Sequence, residues 1–260
     1  MKRALWLLNG LVLLYLLAPI IVVIATSFGT TAYPVFPPQG FTLKWFVNFW
    51  STPELRESLR ISAAISTTST TLATVIGTFS ALALARTRLR GKTVLSAVLL
   101  SPILFPAIVL ALALLIAFQR VGLAQTFPGL VLAHVLLTTP FVVRLVMASA
   151  AEFDPSLEEA AQNLGAGWWR IFARITLPLI LPGILAGAVF AFIMSFDELV
   201  VTLLLSGPAL QTLPIRIFNY VQYSSDPTIS AISTCLIVAW LIVGIPAYAR
   251  LMSVRHQGGA

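Results

Sequence analysis

The chain has 260 residues, of which 58% are hydrophobic and only 10% are charged, and its mean hydropathy is +0.96. An average soluble domain carries about 25% charged residues, so the composition excludes a soluble globular protein and predicts an integral membrane protein. The net charge of +7 is then expected to follow membrane topology, and it gives no reason to expect a nucleic-acid partner. A single cysteine, Cys235, excludes a disulfide framework within the chain.

Six segments are long and apolar enough to form membrane-spanning helices, which need about 20 residues. They comprise residues 4–27, 59–85, 94–118, 128–150, 179–206 and 229–249. The first could also be a signal peptide, but its apolar stretch is longer than the usual 7–15 residues, which favours a retained helix. The second is rich in serine and threonine and contains Gly77, which predicts a helix packed against other helices. The sequence therefore predicts an all-α integral membrane protein with one transmembrane domain over residues 1–260.

Lysines and arginines near the ends of these segments indicate the orientation of the chain. With the N-terminus in the cytoplasm, about twice as many cations fall on the cytoplasmic side as on the outer side. The short loop between the second and third segments contributes most, because Arg86, Arg88, Arg90 and Lys92 all lie in it. The pattern predicts a multi-pass protein of the cell's inner (plasma) membrane with both termini in the cytoplasm. The loop between the fourth and fifth segments is then cytoplasmic.

Two loops on the predicted outer side contain short amphipathic stretches, at residues 41–46 and 213–218. Each predicts a short helix lying at the membrane interface. Their aromatic side chains fit a position among the lipid headgroups.

The predicted cytoplasmic loop, residues 151–178, contains residues that favour the starts and ends of helices, and it predicts a helix-turn-helix. Asp154 suits the N-cap and Pro155 suits the first helical position. Gly165 suits the left-handed conformation that ends many helices. A second helix is expected over residues 168–176, and Leu177-Pro178 is expected to end it before the next span.

The same loop offers a surface on which a partner protein could dock. Its two small alanines permit close approach, its two adjacent glutamates can reach cations on the partner, and its aromatic residues can anchor the contact. An ordinary interfacial loop whose aromatic side chains rest on lipid is the alternative. The residues concerned are Glu158, Glu159, Ala160, Ala161, Trp168, Trp169 and Phe172.

A spaced motif in this loop supports the docking interpretation. Glu159-Ala160-Ala161 is followed after three residues by Gly165 and, after nine more, by Ile175-Thr176-Leu177-Pro178. This pattern resembles the EAA loop of the permease subunits of ABC importers, with every fixed position filled. The spermidine/putrescine subfamily of these permeases has segments similar to residues 40–46, 195–198, 207–208 and 213–217. We refer to residues 151–178 as the EAA loop.

The resemblance implies a fold, a function and a set of partners. The fold would be that of a type I importer permease, with six transmembrane helices and a cytoplasmic coupling helix-turn-helix. The residues that would couple the chain to a cytoplasmic ATPase dimer are Glu158, Glu159, Ala160, Ala161, Gly165, Ile175, Leu177 and Pro178. A second permease subunit, identical or different, and an external solute-binding protein would complete the importer in the lipid membrane. ATP and magnesium would bind the ATPase, and this chain itself would carry no cofactor.

Charged groups inside a span are candidates for the solute pathway. Ser195-Phe196-Asp197-Glu198 falls near the outer end of the fifth segment, about 27 Å from its inner end, whereas Arg144 lies about 9 Å deep at the inner end of the fourth. Asp197 and Glu198 could therefore attract a cationic solute from an outer vestibule, or they could pair with Arg60. Of the two, we expect Asp197 to serve the pathway and Glu198 to make a structural contact. Arg144 is expected to reach towards the headgroups or to bond the backbone.

Other functions are less well supported by the sequence. Its two histidines and single cysteine form no metal site and no nucleophile–base pair, so no catalytic residue or metal ligand is predicted and an enzyme is not expected. His134 is expected to pack or to hydrogen-bond inside the helix bundle. A permease of the same type for another small solute, such as an opine, an aminophosphonate or ferric iron, is an alternative. A secondary transporter that works alone is a further alternative.

Overall fold

The computed structural model describes residues 2–86, 91–151, 153–224 and 226–257, and within these ranges the regular structure is helical, without strands. Arg88 and Arg90, which support the predicted orientation, lie outside the described residues. The helices are α1 Lys2–Thr26, α2 Lys44–Ser51, α3 Pro53–Arg86, α4 Lys92–Leu100, α5 Ala107–Arg120, α6 Phe127–Ala151, α7 Ser156–Asn163, α8 Trp168–Ile171, α9 Leu177–Phe196, α10 Val200–Leu205, α11 Leu213–Tyr223 and α12 Thr228–Gln257. The predicted all-α class is confirmed.

Several helices of the described part are long and apolar enough to cross a membrane. Four meet both conditions: Leu5–Thr26, Pro53–Ala85, Phe127–Ala151 and Trp168–Phe196. A fifth span results if Lys92–Leu104 and Ala107–Arg120 are counted together. Thr228–Ile242 is a shorter apolar helix at the start of α12, so the count of six spans stays a prediction.

The predicted third span, residues 94–118, is bent. A 3₁₀ turn at Ser101–Leu104 follows α4, and the helix direction bends by 108° between the two halves. Pro106 explains the bend, because its ring restricts Phe105 to an extended conformation, here φ −88° and ψ 141°. Pro106 itself has ψ 132°, and α5 begins at the next residue.

The predicted fifth span, residues 179–206, also differs from the structure. The helix begins earlier, at Trp168, and ends at Phe196, and α10 is a separate helix. The carboxylate of Glu198 accepts the backbone N–H of Val201 at 2.9 Å, a group that would bond the carbonyl of Asp197 in a continuous helix. This local competition between side chain and backbone accompanies the break.

Residues Leu59–Ile215 form one compact unit whose centre is α6. Buried residues of α3, α6 and α9 share one apolar cluster. Glycines let these helices approach α6 closely, since a Cβ at Gly77 would lie 2.8 Å from Val142 and a Cβ at Gly187 3.2 Å from the same residue. The predicted packing of the hydroxyl-rich second span against other helices is confirmed. A second cluster joins α3, α5, α6 and α10.

Residues Met1–Ser58 and Arg216–Ala260 form the other unit. Within it α12 packs against α1 and α2, and the amide of Asn48 donates to the hydroxyl of Thr228 at 2.9 Å. The indole N–H of Trp45 donates to the carbonyl of Gly29 at 2.7 Å and so fixes the loop that precedes α2. The two predicted amphipathic helices are present as α2 and α11.

Candidate coupling loop and solute pathway

The first helix of the EAA loop, α7, begins as its sequence predicts. The carboxylate of Asp154 accepts the backbone N–H of Ser156 at 2.9 Å, and Pro155 already has helical angles of φ −59° and ψ −22°. These hydrogen bonds from Ser156 favour the ionised carboxylate and lower the pKa of Asp154. An exposed acidic residue therefore satisfies a free backbone donor at the start of the helix.

The end of α7 is a left-handed turn at Gly165, with φ +79°. The N–H of Gly165 bonds the carbonyl of Gln162 at 2.9 Å, and the N–H of Ala166 bonds that of Ala161 at 3.0 Å. This pair of bonds is the Schellman motif, which satisfies the last carbonyls of a helix and redirects the chain. The predicted role of Gly165 as a helix terminator is confirmed.

The two adjacent glutamates of α7 have different surroundings. Glu159 and Ala160 are exposed, whereas Glu158 is half-buried and accepts a hydrogen bond from the hydroxyl of Thr176, itself a buried residue. Glu158 and Thr176 also line a cavity of about 330 Å³ between α7, α8 and the end of α3. Glu159 is thus free to face a partner, while Glu158 ties α7 to the helix that follows.

That second helix continues through Leu177-Pro178, so the prediction that these residues end it is wrong. The segment Phe172–Thr176 is a π-helical turn, and it joins α8 to α9 in one helix over Trp168–Phe196. Pro178 lacks an N–H and its ring would clash with the carbonyl four residues earlier in a regular helix. The wider turn accommodates the proline without breaking the helix, and such turns often occur at functional sites.

The predicted aromatic anchor lies on the surface beside this turn. Trp168 and Trp169 are 60% and 73% exposed, and Leu164 is 89% exposed. Trp168 stacks on Phe172 with ring centroids 5.6 Å apart, and Phe172 stacks in turn on Phe79 of α3 at 6.3 Å. The exposed rings therefore rest on the helix bundle through Phe172. Exposed apolar patches of this kind are typical of interaction surfaces.

The predicted pathway residues lie where α9 ends and α10 begins. Glu198 lines a cavity of about 180 Å³ together with Ser195, His134, Thr138 and Phe141. Asp197 is exposed and ends α9, and Phe196 is buried and packs against Phe192, with ring centroids 6.0 Å apart. The structure thus brings Ser195 and Glu198 together on one cavity wall.

A buried hydrogen-bond network connects that wall to three other helices. Ser195 Oγ lies 2.9 Å from Ser69 Oγ and 2.8 Å from His134 Nδ1, and His134 Nε2 lies 3.0 Å from Thr202 Oγ1. The Thr202 hydroxyl donates to the carbonyl of Glu198 at 2.8 Å. The donor and acceptor roles of the two ring nitrogens depend on the tautomer of His134. The expectation that His134 is hydrogen-bonded inside the bundle is confirmed, whereas Ser69 and Thr202 were not predicted.

Within the described residues no group of three or more His, Cys, Asp or Glu side chains could hold a metal ion. The chemistry of both candidate regions is that of hydrogen bonds, charge and shape.

Comparisons with known proteins agree with this geometry. The family model described as "Binding-protein-dependent transport system inner membrane component" matches residues 73–253, which include the EAA loop and the α9–α10 break. The chain belongs to this family of inner-membrane transport components. The permease is 36% identical over 231 residues to the spermidine/putrescine transport system permease protein PotC of Escherichia coli strain K12, covering 89% of this chain and 87% of that protein.

Another relative extends over nearly the whole permease. The putrescine transport system permease protein PotI of Escherichia coli strain K12 is 32% identical over 262 residues, covering 98% of this chain and 92% of that protein. These relatives are permease proteins, so the expectation that the chain is a permease subunit and not an enzyme is confirmed.

Solved structures show the same fold. A bacterial ABC transporter involved in the import of the acidic polysaccharide alginate matches with a TM-score of 0.74 and 17% identity, covering 97% of this chain and 95% of that one. The MetNI methionine ABC transporter matches with a TM-score of 0.66 and 18% identity, covering 77% of this chain and 95% of that one. The predicted fold of an ABC importer permease is confirmed.

Proposed function

We propose that the chain is the permease subunit of an ATP-driven importer of small organic cations of the polyamine type. The similarity to PotC and PotI over most of the chain carries this proposal. The carboxylate of Glu198, beside the hydroxyl of Ser195 and the ring of Phe141 in one cavity, supports it. Carboxylates and aromatic faces both attract alkylammonium groups.

The EAA loop is proposed to dock on a cytoplasmic ATPase dimer. Glu159 and Ala160 form its exposed polar part, and Trp168, Trp169 and Leu164 form its exposed apolar part. The π-helical turn continues into α9, so a force on this loop acts directly on the helix that ends at the proposed pathway. ATP and magnesium bind the ATPase subunits and not this chain.

The remaining partners are a second permease subunit and an external solute-binding protein. We propose a chain of six spans, forming one transmembrane domain, with both termini and the EAA loop in the cytoplasm. Reporter fusions after Gly165 should then give a cytoplasmic signal, and fusions near Pro37 and Gln211 an external one. A cytoplasmic signal at Gln211 would contradict this orientation.

Uptake in cells tests the substrate class. Cells that lack their own polyamine importers should accumulate labelled putrescine or spermidine when they express this chain with its partner subunits, and excess unlabelled polyamine should abolish the signal. If an opine, an aminophosphonate or ferric iron competes and polyamines do not, the chain is a permease of the same family for that other solute.

A further inference from the structure

We propose that Lys92 and Arg144 bind the phosphate of an anionic phospholipid at the end of the helix bundle that carries the EAA loop. The two residues line one groove of about 620 Å³ between α4, the following 3₁₀ turn and α6. Both are exposed, and among the described residues that line the groove the charged ones are these two cations. The solute pathway proposed above uses a carboxylate and lies in a different cavity.

The groove has a polar, cationic part and an apolar part, which match the headgroup and the acyl chain of an anionic phospholipid. The hydroxyls of Thr93 and Ser96 line the groove beside the two cations. Hydroxyl groups and cationic N–H groups both donate hydrogen bonds to the oxygens of a phosphodiester. The remaining wall is apolar, and its Ile103 and Leu104 are 38% and 81% exposed. A soluble anion would gain nothing from that apolar wall, whereas an acyl chain attached to the phosphate would cover it.

The depth of the groove also suits a headgroup. Arg144 precedes the end of α6 at Ala151 by seven residues, which corresponds to about 10 Å along the helix. A long arginine side chain can reach from that depth towards the headgroup layer. Lys92 is the first residue of α4, at the start of its apolar stretch. Basic pockets between membrane helices near the cytoplasmic surface are typical sites for anionic lipids.

Lipid selectivity measured by electron paramagnetic resonance tests the proposal. The full chain is placed in phosphatidylcholine nanodiscs that contain either spin-labelled phosphatidylglycerol or spin-labelled phosphatidylcholine. We expect a larger immobilised fraction for phosphatidylglycerol, and relative affinity should fall about fivefold in each of Lys92→Gln and Arg144→Gln. Arg120→Gln, which removes an exposed arginine at the end of α5, is the matched control and should leave the preference unchanged.

A charge-retaining variant separates charge from folding. The double variant Lys92→Arg/Arg144→Lys should keep most of the preference, whereas Lys92→Gln/Arg144→Gln should lose it. Equal immobilisation of both lipids by the native chain, or a preference that survives in the glutamine double variant, would overturn the proposal. Displacement of the labelled lipid by inorganic phosphate would also overturn it, because the groove would then bind a soluble anion. So would loss of the preference when the partner subunits are present, since a partner would then cover the groove.

Discussion

The shape of the EAA loop depends on one backbone conformation, that of Gly165. Its φ of +79° allows the two hydrogen bonds that end α7, and a side chain at this position would meet nothing within 4 Å. The requirement for glycine is therefore conformational and does not arise from crowding. Gly167, two residues later, has open surroundings as well but an ordinary extended conformation, with φ −69° and ψ 157°.

These two glycines make a matched pair. We expect Gly165→Val to weaken retention of the ATPase roughly tenfold or more, because a β-branched residue is strained in the left-handed region by 1–2 kcal/mol or more. Gly167→Val should retain the ATPase normally. Affinity purification of the complex and uptake by the same cells measure both effects. Normal uptake by Gly165→Val would show that the turn is not needed for coupling.

The carboxylates at the α9–α10 break provide the second residue-scale prediction. Glu198→Gln keeps an oxygen that can accept the Val201 N–H, so the chain should still assemble, but the negative charge on the cavity wall is lost. We expect about a tenfold rise in KM for a polyamine, from the loss of one charge-assisted contact.

Asp197→Asn is the companion variant. If Asp197 serves the pathway, uptake should fall while assembly is unchanged. If Asp197 instead pairs with Arg60, assembly should fall and a compensating change at Arg60 should partly restore it. Unchanged uptake in both Glu198→Gln and Asp197→Asn would contradict a cationic solute.

The sequence predicted some of these residues and missed others for a physical reason. The positive φ of Gly165 and the burial of His134 follow from local signals, a glycine after a short helix and a histidine in a largely apolar span. Ser69 carries no comparable signal, because many hydroxyls of α3 look alike in sequence, and Thr202 of α10 carries none either. Only the packing of four helices selects the two that bond Ser195 and His134.

At the scale of helices, the continuous segment Trp168–Phe196 links the EAA loop to the proposed pathway. The hydrogen bond between Thr176 and Glu158 joins α7 to the π-helical turn of this segment. Movement of α7 is therefore expected to move α9. Removal of the Thr176 hydroxyl should loosen the connection between α7 and α9 without changing the exposed docking residues.

Thr176→Val tests that connection, because valine has nearly the same shape. We expect the ratio of solute transported to ATP hydrolysed to fall several-fold while the ATPase still binds, since the net contribution of such a bond to a charged group is about 1.5–3 kcal/mol. Thr71→Val is the control, because the exposed Thr71 hydroxyl bonds only the carbonyl of Thr67 in its own helix. An unchanged ratio in Thr176→Val would mean that the bond plays no part in coupling.

Packing of α3 on α6 gives a second element-scale prediction. A Cβ at Gly77 would lie 2.8 Å from Val142, so Gly77→Ala should destabilise the chain by about 1–3 kcal/mol. Gly10→Ala is the control, because Gly10 is also a helical glycine but has nothing within 4 Å. Thermal unfolding in detergent measures both, and Val142→Ala should partly rescue Gly77→Ala. Equal unfolding temperatures for the native chain and Gly77→Ala would contradict the close approach.

Helix existence was more predictable than helix continuity. Hydropathy locates the long apolar helices, because spanning segments need length and low charge. Pro106 indicates the bend in the sequence, because proline restricts the residue before it, but a hydropathy profile does not register this effect. Whether a proline interrupts a helix is harder to predict from sequence. Pro106 interrupts one helix, while Pro178 is accommodated by a π-helical turn in another. The break after Phe196 is accompanied by a side-chain hydrogen bond of Glu198, which no periodicity predicts.

At the scale of the whole molecule, the composition, the fold and the family lead to the same function. Exposed charges of the described residues include Glu159 in the EAA loop, Lys92 and Arg144 in the proposed lipid groove and Asp197 at the α9–α10 break. Glu159 belongs to the proposed docking surface for an ATPase, and Asp197 lies where a cationic solute is proposed to be attracted. The solute is the least predictable feature from sequence, because the coupling motif concerns the proposed contact with the ATPase and carries no information on the solute.

ATP-driven uptake in proteoliposomes is the most direct test of the central claim. The chain is reconstituted with its ATPase, second permease and solute-binding subunits, and labelled putrescine is measured inside the vesicles. We predict accumulation that requires ATP on the side of the EAA loop and that is lost in Gly165→Val but kept in Gly167→Val. Accumulation by this chain alone, without ATP or the ATPase, would contradict the account and identify a secondary transporter.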